Sequence, residues 1–94
     1  MLHFIARDYE SSVTLFREAL KFDNSNYSLW NKLGATLAHL GRAEEAIEAY
    51  HKALDLKPNY VRVWVNLGIA HAYKVIFFIN SIGFILFLFH LGRI

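Results

Sequence analysis

Cysteine is missing from the chain altogether, which excludes a disulfide framework, a thiolate metal site and a cysteine nucleophile together. That fits a reducing compartment. A strong excess of one charge is missing too. Ten Lys and Arg against eight Asp and Glu leave a formal charge of +2, too mild to argue for nucleic acid, and no block of like charges occurs. The opening MLHFIARDYE is too short and too soon charged for a secretory signal. The five histidines (His3, His39, His51, His71 and His90) form no i,i+4 pair and have no ligand-spaced carboxylate nearby, so no metal site is expected. No glycine-rich phosphate loop or nucleophile–base pair stands out, and neither enzyme chemistry nor a cofactor is expected. At 94 residues the chain makes one small domain at most.

What is present is a period. Trp30, Leu33 and Gly34 return 34 residues later as Trp64, Leu67 and Gly68. Tyr50, Ala53 and Leu54 are anticipated 34 residues earlier by Phe16, Ala19 and Leu20. A repeat of this length marks stacked helical hairpins, each unable to bury its apolar face without neighbours. The pattern resembles a tetratricopeptide array. The expected fold is all-α: an α-solenoid fragment of helical-hairpin repeats followed by an apolar C-terminal segment. Residues 1–26 supply the second helix of a partial repeat, 27–60 a complete repeat, 61–74 the first helix of a further repeat, and 75–94 the apolar tail.

Residues 8–22 place Val13, Phe16, Ala19 and Leu20 on one helical face, with Ser12 where such repeats carry a small Ala. Met1 to Arg7 are too few for the missing helix, although Leu2, Phe4 and Ile5 could cover apolar surface. The chain is therefore expected to begin inside a repeat, as a fragment would. Asp23–Asn26 reads as a loop in which Asn26 caps the next helix; Asn26-Tyr27-Ser28 also matches a glycosylation sequon, for which the secretory context is lacking. A helix over Ser28–Leu40 should bury Trp30, Leu33 and Leu37, with Gly34 admitting a neighbouring backbone, and Gly41 should end it with a positive φ. The next helix, Ala43–Leu56, should bury Ala46, Ile47, Tyr50, Ala53 and Leu54, the two alanines lying where the helices cross. Glu44, Glu45 and Glu48 read as a solvated face, with Glu48 and Lys52 an i,i+4 pair worth ~0.2–0.5 kcal/mol. Lys57-Pro58 stops this helix. Trp64, like Trp30 and Tyr50, is expected in the core.

After Lys74 the period calls for a glycine near Val75, a small residue near Asn80 and an aromatic near Phe84, and only the aromatic is there. Val75 to Gly92 carry no charge. At about 1.5 Å per residue they span roughly 27 Å, close to a ~30 Å hydrocarbon core, so membrane contact through residues 75–94 is one expectation. Asn80, Ser81 and His90 weaken it, and Lys74 and Arg93 alone do not fix an orientation. Read-through of an AT-rich intron is the other expectation. Valine codons begin with the bases that begin most introns, the tail is rich in Ile and Phe, and the break falls inside a repeat.

The wording of the middle is more specific than the bare Trp-Leu-Gly spacing. Residues 27–74, above all YSLWNKLGATLA (27–38) with LDLKPNYVRVWVNLGI (54–69), closely resemble the peroxin-5 family of peroxisomal import receptors. That family reads C-terminal Ser-Lys-Leu-type signals. The resemblance implies a peptide-binding piece of a matrix-import receptor. Its implied partners are the C-terminal signal peptide of cargo proteins and, for a full-length parent, peroxisomal docking proteins. The implied setting is the cytosol and the peroxisomal membrane. In that family asparagines on the inner helices grip the peptide backbone and terminal carboxylate, and Asn31, Arg62 and Asn66 fall on matching positions.

Spacing agrees with that placement. Arg62 and Asn66 share a helix face, and Asn31 lies on the equivalent helix away from the Trp30–Leu33–Leu37 stripe. An amide offers donor and acceptor to a peptide group, and a guanidinium suits a carboxylate. By residue type alone, the same three side chains also read as solvated groove residues of any such repeat. His39 and Tyr73 stand where the family usually has asparagine, each costing one or two hydrogen bonds of ~0.5–1.5 kcal/mol, although His39 can still donate. Two other readings remain open: a chaperone-docking module that clamps an acidic C-terminal peptide, and a membrane-anchored adaptor. The ending Gly92-Arg93-Ile94 does not resemble the Ser-Lys-Leu address, so the chain reads as receptor and not cargo.

Overall fold

The computed structural model describes residues 8–93, which form four helices and no strand. They are α1 (Tyr9–Phe22), α2 (Tyr27–His39), α3 (Ala43–Leu56) and α4 (Val61–Gly92). α1 packs on α2, α2 on α3, and α4 on α3 with a smaller contact to α2. The all-α repeat architecture expected from the period is what the chain adopts. Leu2, Phe4, Ile5 and His3 lie outside the described residues.

α3 is the central slab. It buries Ala46, Ile47, Ala49, Tyr50, Ala53 and Leu54, a band too wide for one contact, because it faces both α2 and α4. Ala46 and Ala53 have no exposed surface at all. Their small side chains let α3 approach both neighbours, and Leu33 and Leu37 of α2 with Val63, Leu67 and Ala70 of α4 fill the remaining space. α1 adds Val13 and Leu20. Side chains at i, i+3, i+4 and i+7 recur in every helix here, the spacing that gathers apolar groups on one face.

The hairpin between α2 and α3 turns on Gly41. Its φ is +77°, the one positive value among the described residues. The Arg42 amide donates to the Leu37 carbonyl at 2.9 Å and the Gly41 amide to the Ala38 carbonyl at 3.0 Å, the paired bonds of a Schellman stop. At the other end of α2, Asn26 Oδ1 accepts from the Leu29 amide at 3.1 Å while its Nδ2 donates to Asp23 Oδ2 at 2.9 Å. Asn26 is thus the cap. Lys57 closes the loop before α4, its ammonium 4.9 Å from the Tyr27 ring and 5.0 Å from the Tyr60 ring. Those two rings meet edge to face at 5.6 Å.

Several sequence expectations are corrected. Gly34 is small to admit a side chain, not a backbone: a Cβ there would lie 2.5 Å from the Tyr50 ring. Trp30 is only partly buried and Trp64 is 53% exposed. No described residue folds back over α4 to cover Trp64. Each indole instead donates to a carbonyl six residues earlier, Trp30 to Asn24 at 2.9 Å and Trp64 to Pro58 at 2.7 Å. Glu48 and Lys52 do not form their pair. Glu44 and Glu45 lie on the solvated face expected and form ion pairs there: Glu45 meets Arg42 at 2.6 Å and Arg17 at 3.1 Å, and Glu44 meets Lys74 at 2.6 Å. Arg42 also reaches Glu10 at 3.1 Å, so one guanidinium ties α1 to the α2–α3 turn.

Candidate peptide groove

A cavity of about 1020 Å³ opens between the α2–α3 hairpin and α4. Ala35, Ala38 and His39 supply the α2 wall, Tyr50 and Glu44 come from α3, and Asn66, Ile69, Ala70 and Tyr73 line the α4 wall. The α4 residues share a face because they recur at three- and four-residue steps. The walls are largely apolar with a few polar groups, the usual make-up of a binding cleft. His39 rests on the Tyr9 ring of α1, centroids 4.6 Å apart and planes tilted by 45°, so the partial repeat braces the α2 wall.

Of the five sequence-predicted site residues, the cavity brings together His39, Asn66 and Tyr73. Asn31 is placed differently from the expectation. It is 7% exposed, the one buried polar residue among the described residues, and its Oδ1 accepts a hydrogen bond from Asn66 Nδ2 at 3.2 Å. α4 crosses α2 at this level and covers it. Burying an amide without a partner would cost roughly 1–3 kcal/mol, and Asn66 is the partner. An asparagine has four hydrogen-bonding positions, so Asn66 keeps a carbonyl oxygen and a second N–H beyond this bond. Arg62 lies on the exposed first turn of α4, outside the cavity lining.

Sequence reasoning missed the Lys74–Glu44 pair at the cavity edge and the lining role of Asn80 and Ser81. The signal for the latter was available: Asn66, Ala70, Tyr73, Phe77 and Ser81 continue one helical stripe across the point where the repeat pattern stops. Beside the cavity, the Arg42 hydrogen bond and charge hold the Glu45 carboxyl below its usual range and raise the Arg42 guanidinium. Burial pushes the Tyr50 phenol upward. Both effects favour the state present at neutral pH, with the ion pair formed and the tyrosine uncharged.

Comparison with known proteins adds the following. A model described as "TPR repeat" matches residues 36–74, and one described as "Tetratricopeptide repeat" matches residues 15–48. The chain is 41% identical over 70 residues to the Peroxisomal targeting signal receptor of Saccharomyces cerevisiae, covering 74% of this chain and 11% of that protein. It is 45% identical over 69 residues to the receptor of the same name in Kluyveromyces lactis, covering 73% of this chain and 12% of that one. The chain thus spans about a tenth of the length of these curated relatives. Among solved structures, MamA superposes with a TM-score of 0.71 at 25% identity, covering 76% of this chain and 42% of MamA.

Proposed function

The chain belongs to the tetratricopeptide-repeat family, and from that premise we propose that it is a peptide-binding piece of a peroxisomal targeting signal receptor that takes an extended C-terminal peptide of the Ser-Lys-Leu type. Likeness to the yeast receptors over three quarters of the chain supports the class of protein. One geometric observation carries the site: Asn66, in the groove wall, held by its hydrogen bond to the buried Asn31. A side-chain amide that is fixed in this way presents donor and acceptor at a set angle, which is what an extended peptide backbone needs. Preorganisation removes the ordering cost that a free side chain would bear on binding.

In this reading the five residues have unequal roles. Asn66 contacts the peptide backbone and Asn31 positions Asn66. His39 and Tyr73 flank the peptide from the two walls. Arg62, one helical turn before Asn66 on the exposed start of α4, meets the terminal carboxylate at the groove mouth. Nothing in the groove requires catalysis, and the site acts by binding.

Fluorescence anisotropy on the chain, with one labelled peptide ending in Ser-Lys-Leu and another ending in acidic residues, tests the reading. The Ser-Lys-Leu peptide should bind in preference, and Asn66→Ala should weaken it by about 5- to 30-fold, the loss of one or two hydrogen bonds. Unchanged affinity in Asn66→Ala sinks the site assignment. A preference for the acidic peptide would transfer the chain to the chaperone-docking reading.

A further inference from the structure

We propose that residues 75–92 of α4 span a lipid bilayer and hold the repeat directly against its surface. α4 is one unbroken helix from Val61 to Gly92. Its first part packs on the repeat through Val63, Leu67 and Ala70. From Val75 onward there is no charge until Arg93, and the apolar window has none of its length buried. At 1.5 Å per residue the charge-free stretch is about 27 Å long, which matches a ~30 Å hydrocarbon core. Lys74 and Arg93 stand at its two ends, where cationic side chains reach the headgroups.

The distribution of apolar side chains selects the occupant. Phe77, Phe78, Ile79, Phe84, Ile85 and Phe87 are all more than 50% exposed and, at about 100° per residue, are spread around the whole helix. A second copy, or a groove on a partner protein, would cover one stripe and leave the others in water. Hydrocarbon covers all of them equally. The polar residues of the span are few and uncharged. Asn80 and Ser81 line the cavity against the repeat, and His90 lies one turn from Arg93. The Lys74–Glu44 pair at 2.6 Å then marks the boundary, tying the start of α3 to the head of the span. No loop separates the two halves of α4, and Ile76, Phe77, Phe78 and Ser81 line the groove as well, so the groove runs from the repeat into the head of the span. This inference is independent of the peptide reading, since it uses no groove residue as a ligand.

The absence of cysteine makes the test direct. The full chain is synthesised beside phosphatidylcholine vesicles, floated through a density gradient and washed with alkaline carbonate. It should float and resist the wash. A membrane-impermeant maleimide should label Ser11→Cys, and should leave Phe84→Cys unlabelled until detergent is added. Phe84→Arg with Ile85→Arg should reduce the floating fraction, the insertion equilibrium falling by about a hundredfold or more for charges at mid-span. Float-and-release by carbonate would mean a surface-lying helix. Labelling of Phe84→Cys in intact vesicles would mean that no span forms. Each of these overturns the proposal.

Discussion

The chain contains the same helix start twice, with two outcomes. Trp30-Leu33-Gly34 opens a hairpin, whereas Trp64-Leu67-Gly68 opens a single 32-residue helix. The difference lies at one backbone position. Gly41 leaves the helical region with φ +77° and the chain reverses into α3. Its counterpart one period later is Val75, a β-branched residue for which positive φ is a genuine outlier. Helix continuation is the cheaper course, and the second half of α4 never returns. The consequences are visible in pairs. Gly34 accepts the Tyr50 ring, while a Cβ added at Gly68 would meet no described atom within 4 Å beyond its own helix backbone. Tyr50 is 2% exposed, while Phe84, which would take its place, is 62% exposed. A repeat signature therefore specifies a hairpin only together with its turn.

The largest break in that comparison should come from the aromatic pair. Tyr50→Ala should cost about 3–5 kcal/mol, as for other buried aromatics, enough to unfold so small a chain. Phe84→Ala should leave the repeat's own stability within about 0.5 kcal/mol in urea denaturation, because Phe84 is no part of the repeat core. Equal effects would mean that α4 does fold back. A smaller contrast is expected at the glycines. Gly34→Ala drives a methyl into the Tyr50 ring and should destabilise by about 1–3 kcal/mol. Gly68→Ala meets open space and should gain about 0.8–1.0 kcal/mol of helix propensity, read from the same denaturation curves.

The smallest effect concerns pH. Glu45 has a folded-state pKa below its ordinary 4.5, chiefly through the Arg42 hydrogen bond. Its contribution is present above the unfolded value and is lost as pH falls through the depressed one. Thermal melts between pH 7 and pH 3 should therefore show a modest acid loss that Glu45→Gln reduces. Tyr50 acts with the opposite sign. Burial raises its pKa from the ordinary 10.0, so that its share of stability is intact below pH 10 and fades at higher pH.

Most of the repeat was legible in the sequence because it depends on local rules: apolar spacing, the Asn26 cap, the Gly41 stop and the Pro58 break each act within a few residues. What was not legible depended on contacts between helices. Asn31 carries no sign of burial in its own helix; α4, through Asn66 35 residues on, covers it. Glu45 reads as a surface acid with at most a local partner in Arg42, and Arg17 reaches it from α1, 28 residues earlier. Trp64 was expected in the core by analogy with Trp30, and the analogy fails because its cover depends on a helix that runs elsewhere. The groove itself was placed by likeness to the peroxin-5 family, and Arg62 falls outside its lining.

The two indoles put this difference within reach of light. Trp30 and Trp64 make the same N–H bond to a carbonyl six residues earlier, and so share one local electrostatic partner. They differ in what lies over the ring. The chain thus holds a matched pair of chromophores, one reporting from inside a closed hairpin and the other from the bare side of an open one, and a spectral shift confined to Trp64 would register whatever comes to rest upon α4.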